Sequence, residues 1–122
     1  MSKVKDKLEK WRTLELEIKH LKRIIKEYNE CAYLSKYDTV KRDAHINTLN
    51  KHIDAVTAEW EDIAALVSNA GERESIVLKL YYLEGRSMGE IAEELNYSVR
   101  TIQRSLNKGL STLEALYVEE AA

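Results

Sequence analysis

The stretch Ser87-Met-Gly-Glu-Ile-Ala-Glu-Glu-Leu-Asn-Tyr-Ser-Val-Arg-Thr-Ile-Gln-Arg104 holds two short helical patterns that meet across Asn96, Tyr97 and Ser98. Ser87 is a natural N-cap for the first, and Glu90, three residues on, completes a capping box. Met88, Ile91, Ala92 and Leu95 then fall on one face at helical spacing. Ser98 caps the second pattern, which buries Val99 or Ile102 and then Leu106, Leu110 and Leu113. Ala92 is small enough for a second helix to cross closely. Asn96 stands where the chain must turn sharply, and Asn is the best residue after Gly in a left-handed backbone. Together these features read as a helix-turn-helix that binds DNA, centred in residues 72–117.

Working back from this centre, Glu72 to Leu83 predicts a preceding helix with Ile76, Val77, Leu80, Tyr81 and Leu83 apolar, and Glu84-Gly85-Arg86 turns the chain. Ser68-Asn-Ala-Gly71 ends an earlier helix, with Gly71 or Asn69 suited to a left-handed C-terminal position. The last helix is expected to run to about Tyr117, with a fraying tail beyond it.

The first half carries two long amphipathic patterns. From residue 3 to about 34 the apolar positions are Val4, Leu8, Trp11, Leu14, Ile18, Leu21, Ile25, Tyr28 and Ala32. Beyond Trp11 and Leu14 their spacing alternates between four and three, as in a coiled-coil seam. Ser35-Lys-Tyr-Asp-Thr breaks the pattern, and Asp38 or Thr39 can cap the next helix. The second stripe is Ile46, Leu49, Ile53, Val56, Trp60, Ile63 and Val67. At about 1.5 Å per residue each helix is roughly 40–45 Å long. Two such stripes joined by a short connection fold into an antiparallel hairpin. The expected fold is therefore all-α: a coiled-coil-like hairpin over residues 1–70, serving oligomerisation or partner binding, and a three-helix DNA-binding domain over 71–122.

Composition agrees. The chain of 122 residues has no Pro, four Gly and a third of its residues charged, which favours long uninterrupted helices. The net charge of -2 is unusual for a nucleic-acid binder, so the distribution decides. From Ser98 to Leu113 Arg100, Arg104 and Lys108 meet no acidic residue, a local charge of +3. Such a stripe implies modest, salt-sensitive affinity that a dimer or second partner would reinforce. Its outward face carries Val99, Arg100, Gln103, Arg104 and Asn107. Arg pairs bidentately with guanine and Gln with adenine in the major groove. Ser98, Thr101 and Lys108 are placed for phosphates, with the positive helix end at Ser98 assisting.

No other chemistry stands out. Cys31 is alone, so no disulfide forms within the chain, and a reducing cytoplasm is expected. His45 and His52 are seven residues apart and share a face, but neither they nor His20 have a third metal ligand at proper spacing. There is no glycine-rich phosphate loop and no isolated carboxylate for acid-base work, so neither an enzyme nor a cofactor is expected. No run approaches the roughly 18 apolar residues of a membrane helix.

Glu72-Arg-Glu-Ser-Ile-Val-Leu-Lys-Leu-Tyr-Tyr-Leu-Glu-Gly-Arg-Ser87, then Glu-Ile-Ala-Glu-Glu-Leu95 and Ser98-Val-Arg-Thr-Ile-Gln-Arg104, resembles region 4 of bacterial sigma factors. Closer still is the resemblance to sigma-like regulators of temperate phages of Gram-positive bacteria, the RinA and ArpU type. The motif similarity covers residues 72–113; the N-terminal hairpin matches in architecture. The resemblance implies an activator of late phage operons that works with RNA polymerase on double-stranded DNA. It places DNA contacts on Ser98, Val99, Arg100 and Gln103, with Lys108 further along. Val99 falls where a sigma factor usually has a charged reader, and Asn96 replaces the usual Gly of the turn. Two other readings are a small terminase-like packaging protein and a sigma-like module that inhibits transcription through protein contacts.

Overall fold

The computed structural model describes residues 3–30 and 36–121, and of residues 36, 37 and 118–121 the backbone alone. All its regular elements are helical: α1 (Lys3–Asn29), α2 (Lys36–Val67), a 3-10 turn (Ser68–Ala70), α3 (Glu72–Leu78) widening into a π turn (Lys79–Leu83), α4 (Met88–Leu95) and α5 (Val99–Ala121). The boundaries differ from the sequence reading in three places. Helix α1 ends at Asn29, and Cys31 and Ala32 lie outside the described residues. Helix α2 begins at Lys36, so Asp38 and Thr39 sit inside its first turns instead of capping it. Helix α5 continues past Tyr117 to Ala121.

The chain forms two compact units. The hairpin unit is Leu14–Trp60, and the composite unit joins Met1–Thr13 to Glu61–Ala122. This division falls elsewhere than the 70/71 boundary expected from sequence. The physical reason is the location of the core: Val4, Leu8 and Trp11 at the start of α1, and Ile63, Val67 and Ala70, are as buried as Val77, Leu78, Ile91, Ile102 and Leu113. The first turns of α1 thus belong to the same unit as the helix-turn-helix. Lys7 Nζ lies 5.4 Å from the centroid of the Tyr117 ring, a cation–π contact. Burial raises the pKa of the Tyr82 phenol, and Tyr81, Glu9 and Glu114 push it the same way.

Within the hairpin unit α1 and α2 run antiparallel. Glu17 Oε1 is 3.1 Å from His52 Nε2, and the Tyr28 and His45 rings meet edge to face at 5.1 Å. A later residue of α1 thus meets an earlier one of α2. Leu14, Leu21, Ile53 and Val56 form the buried seam.

In the composite unit α3 packs against α5, and small residues allow it. Gly109 is buried, and a Cβ there would stand 3.0 Å from Leu78 Cδ1; Ser105, one turn earlier, is buried too. The face of α3 centres on Val77 and Leu78, which leaves Ile76, expected in the core, 46% exposed. Next, the Glu84 N–H donates to Lys79 O at 3.1 Å, five residues back instead of four. The wider turn rotates the following residues, so Tyr82 is buried with Leu80 and Leu83 while Tyr81 is half-buried. Gly71 has φ 106° and ψ 159°, an extended backbone at positive φ that favours Gly, not the left-handed helical position read from the sequence.

Candidate nucleic-acid interface

The turn between α4 and α5 is fixed from both sides. At the start of α4, Ser87 Oγ accepts from the Glu90 N–H at 3.2 Å and the Ser87 N–H donates to Glu90 Oε1 at 3.3 Å. This is the reciprocal capping box. The hydrogen bond from the Ser87 backbone N–H, joined by the Ser87 side chain, holds the Glu90 carboxyl below its ordinary pKa. Arg86 forms an ion pair with Glu94, tying the residue before α4 to its last turn. At the C-terminal end Asn96 adopts φ 61° and ψ 43°, and its N–H donates to Ala92 O. The Tyr97 N–H donates to the same carbonyl at 3.0 Å. Asn96 is the one described non-glycine residue with positive φ. Left-handed backbone there redirects the chain within two residues.

Helix α5 then starts on Ser98. Its Oγ accepts from the Thr101 N–H at 3.1 Å and lies 2.9 Å from Thr101 Oγ1. The first residue to face the core is Ile102, fully buried, followed by Leu106 and Leu113; Leu110 is half-buried. Between Val99 and Ile102, the two candidates for that place, Val99 is the exposed one, at 49%. Arg100, Gln103, Arg104 and Asn107 are exposed beside it. At about 100° per residue these five side chains spread over an arc of roughly 140° on the side away from Ile102. Acidic residues are absent from α5 until Glu114, so the arc is positively charged and free to meet an anionic surface.

The other three expected contact residues stand differently. Ser98 is exposed at the helix start, but its hydroxyl is engaged with Thr101. Thr101 is half-buried beneath it. What this end offers an anion is chiefly the backbone N–H groups of the first turn and the positive helix end. Lys108 points back toward α3, with Nζ 3.6 Å from Glu74 Oε1, though its side chain is 75% exposed.

Sequence reasoning left out Arg73. With Glu74, Thr101, Arg104, Ser105 and Lys108 it lines a cavity of about 300 Å3. Its guanidinium carbon lies 4.7 Å from the centroid of the exposed Tyr97 ring. The basic surface therefore passes from α5 onto the start of α3. A net charge summed along α5 alone does not register it, because the contributing residue lies 31 positions before Arg104 in the chain.

Among the described residues no three His, Cys, Asp or Glu side chains are grouped to hold a metal ion, and no helix is long and apolar enough to cross a membrane. His52 and His45 are engaged with Glu17 and Tyr28 respectively.

Residues 71–113 match the family model described as Sigma-70, region 4. The matched segment is about a third of the chain and spans α3, the π turn, α4 and most of α5. This segment is similar to sigma region 4, and its geometry is that of a helix-turn-helix. No curated protein and no solved structure matches the chain.

Proposed function

We propose that this protein is a sequence-specific transcriptional regulator that inserts the first turns of α5 into the DNA major groove. The carrying observation is the acid-free, exposed face of α5 formed by Val99, Arg100, Gln103, Arg104 and Asn107, set on a sigma region 4 scaffold. Arg100 and Gln103 have the donors and acceptors to read base edges, and Val99 offers an apolar contact to a thymine methyl. Ser98 and Thr101 position the helix start against a phosphate, and Lys108 contacts the backbone once drawn from Glu74. Arg73 extends the phosphate-facing surface.

The resemblance to phage regulators supports a finer reading: an activator of a phage or prophage late operon that acts with the host RNA polymerase. A homodimer suits it, because one recognition helix with few cations binds weakly at physiological salt. Two copies would read half-sites separated by about one helical turn or a multiple of it.

Selection of bound duplexes from a random pool, followed by mobility shifts, tests the DNA surface. The Arg100→Ala variant is expected to lose about 1–3 kcal/mol and relax preference at one position, while Lys108→Ala weakens all sequences about equally. Unchanged binding by the combined Arg100→Ala, Gln103→Ala and Arg104→Ala variant overturns the assignment. Transcription from the selected site with purified bacterial RNA polymerase separates activation, expected here, from repression.

A further inference from the structure

The charged lining of the cavity between α3 and α5 is three cations and one carboxylate: Arg73, Arg104, Lys108 and Glu74. The cations are held unequally. Arg73 stacks over the Tyr97 ring, and Arg104 has no ion-pair partner among the described residues. Lys108 is the one that meets the carboxylate, with Nζ 3.6 Å from Glu74 Oε1. Helix α5 carries no acidic residue before Glu114, so the negative charge set into this basic surface comes from α3.

The two partners of the pair differ in freedom. The Glu74 side chain is 15% exposed and that of Lys108 75%. A Cβ on Gly109 would stand 3.2 Å from Glu74 Cβ, and one on Gly71 would stand 2.7 Å from Glu74 Oε2. The stem of Glu74 therefore lies against α5 and its second oxygen against Gly71, in space that the two glycines leave open. Lys108 has a flexible stem in water and can turn to another anion; Glu74 is enclosed and stays. An ion pair with one partner this exposed is weak, so releasing Lys108 costs little.

We infer that Glu74 is an internal competitor for DNA: its carboxylate holds Lys108 in the free protein, and a backbone phosphate must take that lysine from it. The phosphate that approaches Arg73 and Arg104 meets a third cation already neutralised, with a fixed negative charge beside it. Binding then exchanges one anion for another at Lys108 and leaves the Glu74 carboxylate near a like charge. The effect is to lower affinity for every duplex alike, because phosphates carry no sequence information. Contacts of Arg100 and Gln103 to base edges thereby supply a larger share of the binding that remains. The inference rests on the DNA-binding reading of the preceding subsection and names a residue that tunes it.

The test is fluorescence anisotropy of the full chain with two duplexes of equal length, one selected from the random pool and one unrelated. Glu74→Gln keeps the shape of the side chain and removes its charge, and is expected to tighten both complexes about threefold to tenfold. Glu72 is exposed and makes no ion pair among the described residues. Glu72→Gln removes the same charge two positions away and is expected to change binding by less than about twofold. In a chain that already carries Lys108→Gln, the gain from Glu74→Gln is expected to fall below about half, because no lysine remains to be released. Melting by circular dichroism accompanies each variant, and Glu74→Ala replaces the amide variant if that one does not fold. Equal gains from Glu72→Gln and Glu74→Gln overturn the proposal, as does a gain undiminished by Lys108→Gln. Absence of any gain, or a gain confined to the selected duplex, overturns it too. A wild type that binds neither duplex overturns the DNA-binding reading together with this one, whereas tight wild-type binding with no gain from Glu74→Gln overturns this one alone.

Discussion

The composite unit and the hairpin unit share the same two long helices, yet they enclose their apolar residues to different degrees. In the composite unit the stripe of α1 begins with Val4, Leu8 and Trp11, all within 2% of complete burial. In the hairpin unit Leu14 and Leu21 of the same stripe are still buried against Ile53 and Val56, but Ile18, Ile25 and Tyr28 are only half-buried, as are Ile46 and Leu49 on α2. The residues are alike; the number of surrounding helices is not. A helix with one partner can cover only part of an apolar stripe, whereas one set among several loses it entirely from water. The stripe pattern thus locates helices but does not say which stretch of a helix will be enclosed.

The sharpest way to break this comparison is to cut the chain where the sequence suggests a boundary. A fragment that starts at Gly71 keeps the helix-turn-helix but discards Val4, Leu8, Trp11, Ile63, Val67 and Ala70, all buried in the composite unit. Each large apolar side chain contributes about 1.5–3 kcal/mol when buried, against a typical total of about 5–15 kcal/mol. The fragment is expected to lose its fixed tertiary packing, read as a collapse of amide-proton dispersion. Native dispersion in that fragment would restore the 70/71 boundary.

A point substitution gives the next largest effect. Leu8→Ala is expected to destabilise the composite unit by about 2–5 kcal/mol, because Leu8 is fully buried. Leu16→Ala, eight residues later on the same helix, is expected to change monomer stability by less than about 0.5 kcal/mol. Urea midpoints at concentrations low enough to keep the chain monomeric decide this, and equal losses would erase the distinction between the units.

What the sequence discloses follows the same division. The capping box of Ser87 and Glu90, the left-handed Asn96 and the Ser98 cap are local, each decided by residues within four positions, and all three are present. The outward side chains of α5 were legible for the same reason: once Ile102, Leu106 and Leu113 point inward, helical periodicity fixes the rest. Features depending on distant residues were not. The joining of residues 1–13 to the C-terminal helices, the π turn that exchanges Tyr81 for Tyr82, and the approach of Arg73 to Arg104 and Lys108 leave no periodic trace. Gly109 is the nearest to a signal, since a Gly within a helix marks a close neighbour without identifying it.

The turn itself can be sharpened with smaller effects. Asn96→Gly is expected to be nearly neutral, and Asn96→Val to cost about 1–2 kcal/mol, since a β-branched side chain resists the left-handed backbone at φ 61°. The comparison is made by thermal melts of the two variants. If they melt together, the conformation at Asn96 does not govern the turn.

The smallest effect concerns the capping box and depends on pH. The Glu90 carboxyl is held below its ordinary pKa first by the Ser87 backbone N–H and then by the Ser87 side chain, with a smaller push from Arg86. A carboxyl depressed in the folded state favours folding above its unfolded pKa, and the contribution disappears as pH falls through the folded value. The gain is therefore present at neutral pH and is lost on acidification below about 4.3, the unperturbed Glu value. Glu90→Gln retains an oxygen to accept the Ser87 N–H but lacks the charge that responds to acid. The wild type is expected to melt above Glu90→Gln at pH 7, with the gap narrowing as the carboxyl is protonated. Ser87→Ala should lower the melting point of both chains, through loss of the cap on the Glu90 N–H, and should reduce the pH dependence of the gap between them only in part, because residue 87 keeps the backbone N–H that acts first on the carboxyl. A gap that stays constant with pH would mean that the Ser87 hydrogen bonds act on the carboxyl and the carboxylate alike, leaving the box as shape without charge.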